Sequence, residues 1–239
     1  MNRALFASAS GMAAEQRQLD VVADNLANAD VAGFKAATAT FESIGADAPL
    51  GAVETGTHRV FQQGKLMKTG GPFDVALDGP GFFVVERDGR HAYTRAGSFT
   101  RSADGRLRNA DGWSLQGVRI PDRAIDVAVA ADGRVTVSFS GGKHASAGRI
   151  RPALFDAPEY LRTIGSALFA TTERAGRART IDPGPDGAPK IAFGVLERSN
   201  VSIVEAMMQI LAAQRAYEAN AKGVQAADEM LRIANNLHR

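Results

Sequence analysis

An unbroken helical pattern over residues 199–239 constrains the fold more than any other feature of this chain. Large residues recur at every seventh position, and a small or polar residue follows each one three positions later, as in the a and d seam of a coiled coil. The large residues are Ile203, Ile210, Tyr217, Val224 and Leu231, and the small or polar ones are Ala206, Ala213, Asn220, Ala227 and Ala234. Ser202 and Glu205 have the spacing of a capping box, which predicts a helix start. Such a helix is about 55 Å long and needs a partner along its length.

The partner candidate lies at the other end of the chain. Leu5, Met12, Leu19 and Leu26 are also seven residues apart. The two patterns together predict terminal helices that pair as a coiled coil. Two interpretations of the pair stay open at this point. The helices form either an intramolecular hairpin that closes the domain or a coiled coil whose outer face is buried against other copies of the chain.

The segment between the helices has the texture of a β-domain. Short apolar runs such as residues 82–85 alternate with Asp-Gly pairs, which favour the backbone angles of tight hairpin turns. Residues 36–60 show no sustained period and are interpreted as an extended connector. The predicted class is α+β, in which paired N- and C-terminal heptad helices flank an inserted, mainly antiparallel β-domain. The predicted domains are a helical coiled-coil domain at 1–35 and 199–239, the connector at 36–60, and a β-rich domain at 61–198.

Composition excludes several classes of function. The absence of cysteine excludes disulfides and thiolate metal sites. The net charge is only +2, and acidic and basic residues are mixed along the final helix, unlike a nucleic-acid-binding surface. No apolar run reaches the length of a membrane span, and the N-terminal stretch reads as helix and not as a secretory signal. We therefore expect neither nucleic acid nor membrane insertion among the interactions of this chain.

The sequence contains no pattern of catalytic or cofactor-binding residues. The four histidines are far apart and lack the spacing of metal ligands. The run Gly79-Pro80-Gly81 lacks the third glycine of a dinucleotide-binding fingerprint and reads as a tight turn. Neither a nucleophile elbow nor a phosphate-binding loop is present. The expectation is a protein that is not an enzyme, with no catalytic, cofactor-binding or metal site and no cofactor.

Three groups of motifs occur in order along nearly the whole chain. Residues 25–35 read NLANADVAGFK, residues 63–83 read QGKLMKTGGPFDVALDGPGFF and are followed by YTRAGSF, and residues 196–201 and 214–222 read LERSNV and QRAYEANAK. The chain thereby resembles the axial proteins of the bacterial flagellum, which are the rod, hook and related hook–basal-body proteins. Val31 stands where the family motif has a threonine, so no role is transferred to that position. The motif residues singled out are Asn25, Asn28, Gly33, Phe34, Lys35, Gly79, Gly81, Phe82, Ser199, Asn200 and Val201.

The resemblance implies a structural subunit of the basal-body rod, which forms part of the periplasmic drive shaft. Members of this family are exported without a cleaved signal peptide by the flagellar type III export apparatus and polymerise helically. The implied partners are other copies of the chain, other rod and hook axial proteins, the export apparatus and, as a further candidate, the surrounding basal-body rings. The heptad residues of both helices would form the assembly seam. The final helix favours the distal rod type, and the short connector leaves a proximal rod or hook-type position open.

A binding module is the alternative from a different class. In that case the β-domain recognises a protein or a glycan, and the helices only close the domain or dimerise it. A hydrolase acting on the cell wall is disfavoured because no convincing acid pair or nucleophile is present. The binding module predicts stable helices in the isolated monomer, whereas the rod subunit predicts terminal helices that become ordered on assembly.

Overall fold

The computed structural model describes residues 3–44, 51–165, 167–184 and 188–237. The class is α+β, as predicted, with a helix at each end of the sequence and mainly antiparallel strands between them. In chain order the elements are α1 (Arg3–Ala27), β1 (Ala37–Ile44), β2 (Gly51–Arg59), β3 (Leu66–Lys68), β4 (Val75–Asp78), β5 (Phe83–Arg87), β6 (Arg90–Thr94), β7 (Thr100–Arg101), β8 (Arg106–Arg108), β9 (Ser114–Arg119), β10 (Asp126–Val129), β11 (Arg134–Ser138), β12 (His144–Arg149), β13 (Ala153–Leu154), a 3₁₀ turn (Pro158–Tyr160), β14 (Arg162–Thr163), β15 (Leu168–Ala170), β16 (Arg179–Thr180), β17 (Lys190–Phe193), β18 (Val195–Glu197) and α2 (Ile203–Leu237).

These elements fold into two compact units. The helical unit lies within residues 1–27, 36–60 and 201–239, and the β-unit lies within 28–35 and 61–200. Both units are discontinuous in sequence, so each is completed only when distant parts of the chain meet.

Helices α1 and α2 pack against each other in antiparallel orientation within the helical unit. A Cβ atom built on Gly11 would lie 2.8 Å from Nδ2 of Asn220, and one built on Gly223 would lie 2.9 Å from Oγ of Ser8. Since the lower-numbered residue of α1 meets the higher-numbered residue of α2, the helices run in opposite directions. The glycines allow the two backbones to approach closely.

Small residues form the contact line of α2. Its buried residues among those described are Ala206, Ala213 and Ala227, and the surroundings of Ala234 lie outside the described residues. Of the large heptad residues, Ile203, Tyr217 and Leu231 are exposed, whereas Ile210, Val224 and the residues of α1, namely Leu5, Met12, Leu19 and Leu26, are half-buried. The two helices are therefore closest where their side chains are smallest. A coiled-coil seam of the large residues stays a prediction.

Residues 36–60 contain a β-hairpin, where the sequence had indicated only an extended connector. Strands β1 and β2 pair from Ala37↔Arg59 to Ile44↔Gly51, with a bulge between Thr40 and Phe41. Alternate residues of β1 are small, and Ala37 and Ala39 are buried. Alanine is depleted in strands, so the strand pattern is weak in the sequence. Packing against α1 supplies the apolar cover that a two-stranded hairpin needs.

The hairpin is fixed to the end of α1 by one asparagine side chain. Nδ2 of Asn25 donates to the carbonyl oxygen of Ala37 at 2.8 Å, and the amide of Ala37 donates to Oδ1 of Asn25 at 2.7 Å. Asn25 is buried, so both of these hydrogen bonds are sheltered from water. The side chain thereby replaces a backbone partner for the first residue of β1.

The β-unit is built on an antiparallel sheet with the order β10-β11-β12-β9-β5-β6-β15-β14, to which β7 and β8 are attached beside β9. The Asp-Gly prediction is confirmed most directly at Asp88 and Gly89, where φ angles of 52° and 75° form the two-residue turn between β5 and β6. The main core includes Leu77, Phe83, Val85, Leu115 and Val135. A second cluster of aromatic residues joins Phe82, Tyr93, Phe155 and Phe169.

Two short sheets tie the ends of the β-unit together. Strand β17 pairs with β4, and β18 pairs with β3. Gly194 separates β17 from β18 with a φ of +66°. Helix α2 then begins after the predicted cap, where the amide of Glu205 donates to Oγ of Ser202 at 3.3 Å. No helix among the described residues combines the length and apolar character needed to span a membrane.

Enlarging Ala213, one of the small contact residues of α2, should destabilise the helical unit. We expect Ala213→Leu to lower the free energy of unfolding by about 1–3 kcal/mol, because a larger side chain must push α1 away. The matched control is Ala212→Leu, since Ala212 is exposed on the same helix and its change should stay within about 0.5 kcal/mol. Urea unfolding followed by the far-ultraviolet circular dichroism signal measures both, and equal losses would contradict this packing.

Candidate functional site: a buried ionic junction and an exposed helical stripe

The motif at residues 25–35 contains the end of α1 and the first segment of the β-unit. Two backbone turns lie within that segment. The amide of Val31 donates to the carbonyl oxygen of Asn28, and the amide of Phe34 donates to that of Val31, both at 3.2 Å. The turn at position 31 is therefore closed by main-chain groups. Phe34 is completely buried. Gly33 has a φ of +69°, and its amide donates to the carbonyl oxygen of Glu197 at 2.8 Å.

Lys35 and Glu197 form a fully buried ion pair within the β-unit. Both side chains have 0% exposure, and Nζ of Lys35 lies 2.5 Å from Oε1 of Glu197. Nζ also donates to the carbonyl oxygen of Gln62 at 2.6 Å, and Oε1 accepts from the amide of Gly64 at 2.8 Å. One carboxylate therefore joins segments that lie 162 residues apart in sequence.

Arg95 is the second cation of this group. Its Nε lies 3.3 Å from Oε2 of Glu197, and its side chain is 3% exposed. Both of its terminal nitrogens donate to the carbonyl oxygen of Gly79 at 2.9 Å. We call Lys35, Arg95 and Glu197, with the carbonyl oxygens of Gln62 and Gly79, the ionic junction.

The electrostatic balance of the ionic junction depends on Glu197. Burial lowers the pKa of Lys35, and the charge and hydrogen bond of Glu197 oppose that decrease. Burial likewise lowers the pKa of Arg95, again opposed by Glu197. Two cations are paired with one carboxylate. The carbonyl oxygens of Gln62 and Gly79 provide further partial negative charge. Such a buried group is tolerated only when its charges are paired and its donors are occupied.

Glycine is required where the chain segments of the junction cross. A Cβ atom on Gly33 would lie 2.2 Å from the backbone nitrogen of Ala96, and one on Gly64 would lie 2.0 Å from the carbonyl oxygen of Arg198. Those neighbours are backbone atoms, which cannot rotate away as a side chain could. The junction therefore holds main-chain segments against each other. Its buried charges are used for positioning the chain.

The family motif residues divide between this junction and other parts of the fold. Gly33, Phe34, Lys35 and Gly79 meet at or beside the junction, and Nδ2 of Asn200 donates to the same Gln62 carbonyl oxygen at 3.1 Å. The other motif residues lie elsewhere. Asn25 holds the hairpin and Phe82 joins the aromatic cluster, a Cβ on Gly81 would lie 3.2 Å from the carbonyl oxygen of Ala153, and Asn28, Ser199 and Val201 are half-buried.

The sequence alone did not single out Arg95 and Glu197. Both lie inside the quoted motifs, but a charged residue in or beside a strand is ordinarily exposed. The local sequence provided no signal of burial, because Arg95 follows Thr94 and Glu197 precedes Arg198. Among the described residues, no group of three or more His, Asp or Glu side chains is placed to hold a metal ion.

A second candidate surface lies on α2. Val204, Met207, Met208 and Leu211 follow the i, i+3, i+4, i+7 spacing of one helix face, with exposed fractions of 69%, 55%, 59% and 56%. Ile233 returns to the same face farther along, at about 100° per residue, whereas Met230 lies about 80° from Val204, on the flank of that face. We call Val204, Met207, Met208 and Leu211 the α2 stripe. The same rotation places Ala206, Ala213 and Ala227 on roughly the opposite face, which packs against α1.

Removing the carboxylate of the junction should be more damaging than removing the lysine. Glu197→Gln leaves Lys35 and Arg95 buried without their anion and should lower the free energy of unfolding by about 3–5 kcal/mol. Lys35→Met leaves the Arg95–Glu197 pair in place and should have the smaller effect. Denaturant unfolding followed by the fluorescence of Trp113, the single tryptophan, measures both. A larger loss for Lys35→Met would contradict the central position of Glu197.

Alanine substitutions at Gly33 and Gly89 distinguish the effect of close backbone contact from the effect of a positive φ angle. Gly33 and Gly89 both have positive φ angles, but a Cβ on Gly89 would meet nothing within 4 Å. Gly89→Ala should therefore lower the free energy of unfolding by about 1–2 kcal/mol through backbone strain alone. Gly33→Ala adds a collision with the backbone of Ala96 and should lower it further. The same fluorescence measurement compares them, and equal effects would show that the segments at Gly33 are not in close contact.

Three family models match successive parts of the chain. Residues 5–35 match the model described as "Flagella basal body rod protein". Residues 76–137 match "Flagellar hook protein FlgE/F/G D1 domain", and residues 193–237 match "Flagellar basal body rod FlgEFG protein C-terminal". The first and last matches cover the motifs that meet at the ionic junction and most of α2.

Similar proteins extend the match over the whole chain. The "Flagellar basal-body rod protein FlgG" of Borreliella burgdorferi is 36% identical over 264 aligned positions, covering 100% of both chains. The FlgG protein of Agrobacterium fabrum is 33% identical, covering 98% of each. The "Flagellar basal-body rod protein FlgF" of Caulobacter vibrioides is 32% identical over 98% of this chain and 97% of its own. This chain belongs to the flagellar basal-body rod protein family.

Proposed function

We propose that this chain is a structural subunit of the bacterial flagellar basal-body rod, of the distal type, and that it polymerises helically through its terminal helices. The similarity to FlgG proteins over the full length supports the structural assignment and the distal type. A proximal rod position is the alternative, and one of the similar proteins is a FlgF rod protein. The relatives are rod proteins and not enzymes, which agrees with a site made of buried structural charges.

The exposed α2 stripe carries the proposal for assembly. Four adjacent large apolar side chains are more than half exposed on the face of α2 away from α1. Removing them from water is worth on the order of 6 kcal/mol, at about 1.5 kcal/mol for each side chain. An exposed apolar patch of this kind is typical of an interaction surface. In the proposed polymer, a neighbouring subunit covers the stripe.

The proposed form of the assembly is a head-to-tail contact. In this contact, a different face of the next subunit covers the stripe. A head-to-tail contact of this kind produces an open helical polymer when its rotation does not close. The half-buried heptad residues of both helices, with Ile203, Tyr217 and Leu231, complete the proposed coiled-coil seam. Assembly is assigned to the helices within 1–35 and 199–239, and the body of the subunit to residues 61–198.

The ionic junction has a mechanical part in this proposal. It fixes the segment that follows α1 and the segment that precedes α2 to the same β-unit through Lys35 and Glu197. Force carried along either segment therefore reaches a closely packed core instead of a loose loop. We propose that this is the reason why the motifs on both sides of the β-domain converge at one buried carboxylate.

Family membership supports a proposed location and a proposed set of partners. The proposed location is the periplasmic rod of the basal body, reached by type III export without a cleaved signal peptide. The proposed partners are further copies of the chain, other rod and hook axial proteins, the export apparatus and the surrounding rings.

A charge placed on the α2 stripe tests the proposed assembly. We expect Leu211→Asp to abolish incorporation into basal bodies and motility, because a carboxylate cannot be buried in an apolar contact without a partner. The free energy of unfolding should change by less than about 0.5 kcal/mol, since Leu211 is exposed in the single chain. Immunoblotting of purified basal bodies and swimming in soft agar measure the effect.

Gln209→Asp is the matched control for that experiment. It introduces the same charge at an exposed position of α2 that lies away from the stripe, and it should permit incorporation. Normal rods containing Leu211→Asp would overturn the assembly surface. Loss of incorporation in both variants would show that charge anywhere on α2 is harmful and would remove the argument for the stripe.

A further inference from the structure

The sulfur atoms of this chain are all thioethers. It contains six methionines and no cysteine, so methionine is its only sulfur-containing residue that can be oxidised. Among the described methionines, Met12 is half-buried within the helical unit. Met67 is 45% exposed in strand β3, and Met207, Met208 and Met230 are 55%, 59% and 59% exposed.

Two of these methionines lie on the α2 stripe. Met207 and Met208 are consecutive and lie between Val204 and Leu211, which places two thioethers at the centre of the stripe. Met230 lies outside the stripe, on a flank of the same helix. Methionine is flexible and polarisable, so it adapts well to an apolar contact surface. The same exposure makes the sulfur atoms accessible to small oxidants before the surface is covered.

We propose that Met207 and Met208 form an oxidation-sensitive site that controls assembly. In the free chain, the thioether sulfur attacks one oxygen of a peroxide, the O–O bond breaks, and an S=O bond forms. Sulfur loses two electrons, the peroxide is reduced, and water or an alcohol leaves. Methionine sulfoxide reductases reverse this modification. The inference rests on the proposed function, because it takes the α2 stripe as the face that a neighbouring subunit covers.

The physical effect is a change in the polarity of the stripe. A sulfoxide is a polar, chiral group in place of a flexible apolar side chain. Its oxygen is a hydrogen-bond acceptor, and the stripe residues around Met207 and Met208 are apolar and offer it no side-chain donor. Burying an acceptor without a donor opposes association. The oxidised chain therefore stays folded, because these side chains are exposed in it, but it no longer assembles.

The first experiment measures the order of oxidation in the purified full chain. Dilute hydrogen peroxide is added, and peptide mapping by mass spectrometry gives the rate at each methionine. Met207 and Met208 should be oxidised about tenfold faster than Met12, in line with their exposure. Equal rates at Met207, Met208 and Met12 would overturn the proposal.

The second experiment separates polarity from packing in cells that carry only the variant chain. The double variant Met207→Gln, Met208→Gln resembles the sulfoxide in polarity, and the double leucine variant at the same positions stays apolar. We expect incorporation into basal bodies to be about tenfold lower for the glutamine variant than for the leucine variant. Met67→Gln is the control outside the stripe and should be incorporated like the unsubstituted chain.

The outcomes distinguish this inference from the assembly proposal beneath it. Circular dichroism of each purified variant shows whether it folds. Equal incorporation of the glutamine and leucine variants, when Leu211→Asp is excluded, would overturn the oxidation site and leave the proposed function standing. Incorporation of Leu211→Asp would instead remove the proposed function itself.

Discussion

The carboxylate of Glu197 is the interaction on which the arrangement of this chain depends most. Two cations, Lys35 and Arg95, are buried against it. Burial by itself lowers the pKa of each and so favours its uncharged form. The Glu197 side chain also accepts a hydrogen bond from the amide of Gly64, and the backbone carbonyl oxygen of Glu197 accepts one from the amide of Gly33. Segments from the beginning, the middle and the end of the sequence therefore share one anion. A buried group of this kind is weak evidence for stability, because the attraction between its charges is offset by the cost of removing them from water.

Helix α2 divides its surface between two tasks. Alanines and a glycine face α1, where short side chains allow close backbone contact, and large apolar residues lie on the opposite face in water. A helix of a self-sufficient domain would ordinarily bury its largest residues first, since burial of apolar area is the main favourable term in folding. The reverse arrangement in α2 is explained if neighbouring subunits cover the apolar surface that is exposed in the free chain. Membership of the rod protein family provides those neighbours.

The described buried charges of this chain have a structural arrangement. Lys35, Arg95 and Glu197 pair with one another and with nearby carbonyl oxygens, and backbone segments cross closely at Gly33 and Gly64. Charged residues on the surface of the β-unit are engaged in pairs such as Arg101–Asp122 and Arg151–Asp182. Charge in this protein is used for position, which is the requirement of a structural subunit.

The sequence by itself determined the two helices, the Ser202 cap, the hairpin turn at Asp88 and Gly89, and the family, because each of these depends on residues close together in the chain. Tertiary structure alone decided that Ala37 and Ala39 pack beneath α1 as part of a hairpin, since alanine is a poor strand former without that cover. It also decided that alanines, and not the large heptad residues, form the contact of α2. The pairing of Lys35 with Glu197 was likewise not visible in the sequence. Their separation of 162 residues means that no local pattern can encode the contact, and only the burial of both side chains makes each necessary to the other.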